Sequence, residues 1–154
     1  VKNVAARPNA KPYWLILNIG VKVSTPGVPT VDFELIDTDH TGLVTSNGNR
    51  KELDLSRINQ RVLLVFTLED TLGLQFPDNP QAAIGIEPDS GACPSAPSNA
   101  TAGMFLREGM SMNRRRLAVM NQNPGSGHHF LFALFLVDAS GALVAVCDPR
   151  IINN

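Results

Sequence analysis

The clearest pattern in the chain lies near its end. Residues His128 to Cys147 read HHFLFALFLV-DASG-ALVAVC, two apolar runs around a short turn of Asp, Ser and Gly. Runs and turn of this kind predict a β-hairpin. Both faces of both predicted strands are apolar. Phe130, Phe132, Leu134 and Leu136 fill one face of the first, and Leu131, Ala133, Phe135 and Val137 the other. A strand in a two-layer sandwich ordinarily buries one face and wets the other. Fully burying a large apolar side chain is worth about 1.5–3 kcal/mol, so the second face must be covered. The candidates are the Pro-rich excursion 70–103 folded back over the sheet, a second copy of the chain meeting Leu131, Phe135 and Val137, or a different partner.

Alternation with period two recurs upstream. Tyr13, Leu15, Leu17, Ile19, Val21 and Val23 are apolar at alternate positions, a pattern a helix does not produce. The reverse side carries Trp14 and Ile16 before becoming polar. Val31, Phe33 and Leu35 alternate with Asp32 and Glu34, as in a half-buried strand. Val62, Leu64, Phe66 and Leu68 share a face, and Leu63 and Val65 make its back apolar too. A short extended piece is expected near Leu43 to Thr45, and an edge strand around Ala82 to Ile86. Lys51 to Gln60 are ambiguous between a short strand and a helical turn. From Asp70 to Gly103 the chain is broken by Pro77, Pro80, Pro88, Pro94 and Pro97, which rules against a long central strand there. Arg115 to Asn121 alternates again, and with the hairpin it predicts a three-strand meander. Many short strands with turn residues between them indicate a sandwich or barrel.

With 154 residues, the chain is read as an N-terminal arm, 1–12, and one β-sandwich domain, 13–154. Hydrophobic residues at 44 % are enough for a core without metal or disulfide staples. A net charge of −1 argues against general attraction to nucleic acid. No run approaches the ~20 apolar residues of a membrane span. Cys93 and Cys147 match no metal or redox spacing and are expected to be buried free thiols. With no secretory leader visible, a cytoplasmic location is favoured.

Candidate chemistry is sparse. Asp37-Thr38-Asp39-His40-Thr41-Gly42 matches the first half of a calcium loop, with oxygen ligands alternating before a Gly. Gly48 stands where a bidentate Glu is needed, so an ordinary turn competes with a cation site at Asp37 and Asp39. His128 and His129 are adjacent and would point to opposite faces of a strand. Ser126 lies in a GSG turn, which is not a nucleophile elbow. Arg114 and Arg116, read as one face of a strand, either grip a phosphate or carboxylate or form a solvated edge that discourages strand pairing between molecules. No catalytic residue and no cofactor is assigned.

Two dipeptides carry a resemblance. Glu87-Pro88 closes the short predicted strand, and Asp148-Pro149 follows the last one. With the β-rich pattern, they make the chain resemble the bacterial DP-EP family over roughly Tyr13 to Ile152. The resemblance implies an all-β, immunoglobulin-like β-sandwich, about seven strands in two antiparallel sheets with Greek-key topology. It implies no activity. On the residues alone, Glu87 and Asp148 are expected to end strands and to bond nearby amides. A paired acid site arises if they meet.

Three functions stay open. The leading one is a non-catalytic binding or assembly module, self-associating as a homo-oligomer. The second is a cation- or small-ligand-binding domain at the Asp37/Asp39 loop. The third is an enzyme using clustered carboxylates from Asp37, Asp39, Glu87 and Asp148.

Overall fold

In the computed structural model, the described residues are 14–23, 31–35, 42–47, 50–69, 73–89, 91, 93–99, 103–125 and 127–153. They form eleven strands: β1 (Trp14–Val23), β2 (Val31–Leu35), β3 (Val44–Asn47), β4 (Arg50–Asp54), β5 (Arg61–Leu68), β6 (Ile84–Pro88), β7 (Ser98–Asn99), β8 (Phe105–Met110), β9 (Arg116–Asn121), β10 (His129–Val137) and β11 (Leu143–Ile152). A 3-10 turn, Pro80–Ala82, is capped by Asn79. Among the described residues no helix is long and apolar enough to cross a membrane.

The protein is all-β, with two sheets. One holds five strands in the order β2-β1-β5-β9-β8, the other six in the order β3-β4-β11-β10-β6-β7. They are mixed rather than antiparallel throughout: β1 runs parallel to β5, β4 to β11 and β6 to β7. The expected meander does not form. β9 pairs with β5 and β8, while β10 and β11 belong to the other sheet. The turn after Asn121 therefore carries the chain across the core, and Asn123 takes a positive φ of 45° there.

The alternation read in the sequence explains the layering. Leu17, Ile19 and Val21 of β1, Val62, Leu64 and Phe66 of β5, and Leu117 and Val119 of β9 face inward. They meet Phe130, Phe132, Leu134 and Leu136 of β10. Phe66 and Phe132 meet across the layers at a tilt of 57° with centroids 5.3 Å apart, and Phe105 meets Phe130 edge-on at 5.0 Å. Tilted and edge-on pairings suit aromatic quadrupoles.

Polar side chains fasten one end of this core. Asn121 at the end of β9 and Asn153 just after β11 exchange amide hydrogen bonds of 2.7 and 3.0 Å, with both side chains buried. The Asn123 amide donates to the carbonyls of Ile58 and Gln60. Buried amides must be satisfied, and here they satisfy one another across the two sheets.

The Pro-rich excursion does two jobs. Its first part inserts Leu74 and Phe76 into the core, and Gln75 exchanges backbone hydrogen bonds with Val137 of β10. Its later part, residues 93–97, lies over the outer face of the six-stranded sheet. Pro94 is buried. A Cβ built on Gly85 of β6 would lie 2.6 Å from the Ala96 carbonyl oxygen, 3.1 Å from Pro94 Cβ and 3.3 Å from Phe135 Cε2. Glycine is what lets this strap sit flat on the sheet. On this face Leu131 and Phe135 are each only 1 % exposed, and Ala133 is fully buried. The intermolecular contact expected at Leu131 and Phe135 is thus replaced by an intramolecular cover; Val137, at the end of β10, is half-buried.

The cysteine expectation is corrected. Cys93, at the start of the strap, is disulfide-bonded, and the only other cysteine in the chain is Cys147. Cys147 stands opposite Ala133, which stands opposite Gly85. The strap, its glycine seat and Cys147 therefore share one level of the sheet.

Candidate functional site

The two dipeptides flank β10 at the same height. Glu87 pairs with Leu131 and Pro88 with Phe130 on one side. On the other side Leu131 pairs with Arg150 and Ala133 with Cys147, so Asp148 and Pro149 together oppose Phe132 in a bulge. A bulge admits Pro149, which has no N–H to give to a ladder. Glu87-Pro88 ends its strand as expected. Asp148-Pro149 does not: β11 continues through the bulge to Ile152. The backbones of Glu87 and Asp148 are two strand spacings apart, about 9.5 Å, with β10 between them. Ser98 Oγ donates to Glu87 Oε1 at 3.5 Å.

Register also assembles a charged row. Glu52, Arg150, Leu131 and Glu87 are successive cross-strand partners. Arg150 Nη1 donates to Glu52 Oε1 at 3.1 Å. Its Nε lies 2.6 Å from Asp89 Oδ2, but the N–H does not point along that line, so this contact is an ion pair rather than a directed hydrogen bond. One guanidinium thus serves two carboxylates, all three mostly out of water. In the adjoining row Asp54, Ile152 and His129 are partners. Hydrogen bonds from the Ser56 side chain and backbone hold the Asp54 carboxyl below its ordinary value of 3.8, with smaller help from Arg57 and His129. An open hollow of about 490 Å³ beside this row is lined by Pro88, Asp89, Gly127, His128 and His129. Among the described residues no three His, Cys, Asp or Glu side chains are grouped so as to hold a metal.

The three arginines are dispersed. Arg114 precedes β9 with a φ of 55°, so it does not share a strand face with Arg116. Its guanidinium is taken by Asp78 at 2.7 Å and Gln75 at 2.8 Å. Arg115 donates to the carbonyls of Leu68 and Glu69. Arg116 is exposed at a shallow cleft of about 470 Å³ with Thr67, Ser111 and Asn113. The anion grip expected of Arg114 and Arg116 therefore does not form, because Arg114 is spent on holding the excursion to the β8–β9 turn. Asp37, Asp39, His40 and Ser126 lie outside the described residues.

A different surface stands out on the five-stranded sheet. Ile16, Leu63, Met120 and Leu106 are successive cross-strand partners through β1, β5, β9 and β8. Each alternates with core residues, so all four occupy the face away from the core. Ile16 is 49 % and Leu106 40 % exposed, Leu63 is half-buried and Met120 is buried. The next row continues with Val65 and Ala118, both half-buried. Ile16, Leu63 and Val65 were legible in the sequence as apolar residues on the back of their strands. Leu106 was not, because β8 carries no clear alternation.

No family model matches the chain, and no curated protein or solved structure matches it.

Proposed function

We propose that this protein is a non-catalytic binding and assembly module, an immunoglobulin-like sandwich of the DP-EP family, that associates with a second copy of itself through the outer face of its five-stranded sheet. The observation that carries the reading is the Ile16–Leu63–Met120–Leu106 row, an apolar band across four strands with solvent-exposed ends. Apolar sheet faces of this kind mark interaction surfaces. A net charge of −1 leaves little repulsion between copies. The sandwich part is supported by two facing sheets joined by crossovers, with β1 beside β5, β5 beside β9, β4 beside β11 and β10 beside β6. The family part is supported by the placement of the two dipeptides on either side of β10 at one level.

The test is light scattering of the full chain across a dilution series from millimolar to micromolar, beside the double variant Ile16→Lys/Leu106→Lys. The reading expects a concentration-dependent doubling of mass in the parent and a monomer with an unchanged β spectrum in the variant. A parent that stays monomeric at millimolar concentration, or a variant that associates equally well, overturns it.

A further inference from the structure

We infer that the disulfide at Cys93 is a redox latch: it holds the Pro-rich strap of residues 93–97 over the outer face of the six-stranded sheet, and its reduction opens that face.

Three observations carry this, independently of the self-association reading. First, the strap covers something that water would penalise. Phe135 and Ala133 lie buried on the side of β10 that faces away from the main core, and the Phe135 ring and the strap meet at Gly85. Second, among the described residues the backbone pairing beside the strap is short. There β7 joins β6 over two residue pairs, Gly85–Ser98 and Ile86–Asn99, and Ser98 Oγ donates to Glu87 Oε1. Pro94 and Pro97 have no N–H with which to lengthen that ladder, and Ser95, Ala96 and Pro97 are exposed. Third, the covalent tie is at the correct place. Cys93 opens the strap and is disulfide-bonded, and Cys147 stands at the level of Ala133 and Gly85, the seat on which Pro94 and Ala96 rest.

The chemistry needs a dithiol reductant. One of its thiolates attacks a cysteine sulfur, breaking the protein S–S bond and forming a mixed disulfide. Its second thiol then closes to a cyclic disulfide and releases the protein. Two electrons and two protons pass to the protein, leaving two free thiols, and the reductant leaves oxidised. The closed form belongs to an oxidising compartment, since disulfides of this kind do not persist in a reducing cytosol.

The experiment compares the oxidised full chain with the same protein after dithiothreitol, and with Cys93→Ser. Three quantities are read: the far-ultraviolet β spectrum, the fluorescence of an apolar-surface dye, and the sites of proteinase K cleavage by mass spectrometry. The latch predicts an unchanged β spectrum, a severalfold rise in dye fluorescence and new cleavage within 93–99 in both opened forms. Unchanged dye binding and protection after reduction would overturn it. So would loss of the β spectrum, which would make the bond a staple of the whole fold. Two alkylatable thiols in the untreated protein would overturn it as well.

Discussion

Gly85→Ala measures how tightly the strap sits. The added methyl would lie 2.6 Å from the Ala96 carbonyl oxygen, whereas an ordinary carbon–oxygen contact is about 3.3 Å or more. The strap must therefore withdraw by roughly 0.7 Å, because the obstacle is backbone and has no rotamer to change. A gap of that size forfeits about a quarter to a half of the dispersion attraction along the contact. Overpacking of this kind costs about 1–3 kcal/mol. Restricting the unfolded chain at the former glycine returns about 0.4–1 kcal/mol. The net expectation is a loss of about 1–2 kcal/mol, or roughly 2–8 °C in Tm for a chain of this size. Gly20→Ala is the matched control. Its Cβ would also come inside normal contact, 2.9 Å, but from the Glu69 carboxylate, the movable end of a side chain paired with Lys22. That change should stay within about 0.5 kcal/mol. The assay is equilibrium urea unfolding of the oxidised proteins, with dye binding measured in parallel. If Gly85→Ala is as stable as the parent, the strap does not rest on Gly85 and the reasoning fails.

Other consequences can be measured on the same preparation. Asn153→Ala strands the buried Asn121 amide and should cost about 2 kcal/mol, within the range for an orphaned buried group, by urea unfolding. Arg150→Met leaves Glu52 and Asp89 mostly buried without their cation. It should cost about 3 kcal/mol at pH 7 by urea unfolding, the low end for breaking a buried pair because a quarter of the arginine side chain is wet. Asp138, whose carboxylate accepts from the Ser140 side chain and from the Ala142 and Ser140 amides in the hairpin turn, is held below its ordinary value of 3.8, as is Asp54. Both carboxylates are therefore more acidic folded than unfolded. Their contributions are complete above pH 3.8 and disappear as the pH falls through the folded values. A carbon-detected NMR titration should find both midpoints below 3.8.

Much of the fold was legible because alternation is a local property. β1, β2, β5, β9 and β10 begin and end close to where their apolar periodicity does. Pairing was less legible, because it depends on distant partners. Nothing in Arg116–Asn121 reveals that it joins β5 rather than the hairpin that follows it. The end of β11 was hidden by Pro149, which reads as a stop but is accommodated by a bulge. Leu106 was hidden by the irregular spacing of β8, where the register slips between Arg107 and Gly109. The need to cover the second face of β10 was readable from eight consecutive apolar residues. The identity of the cover was fixed by Gly85 and Cys93, residues whose meaning depends on what lies above them. The same holds for the site: Glu87 and Asp148 could be named in advance, but the Arg150 bridge between Glu52 and Asp89 required the register of three strands.

The account turns on which apolar face is hidden within one molecule and which is open. Carbene footprinting of the dilute, oxidised monomer, read residue by residue by mass spectrometry, distinguishes them directly. Label should appear on Ile16 and Leu106, with Leu131 and Phe135 protected. Labelling of Leu131 and Phe135 at the level of Ile16 would contradict the account.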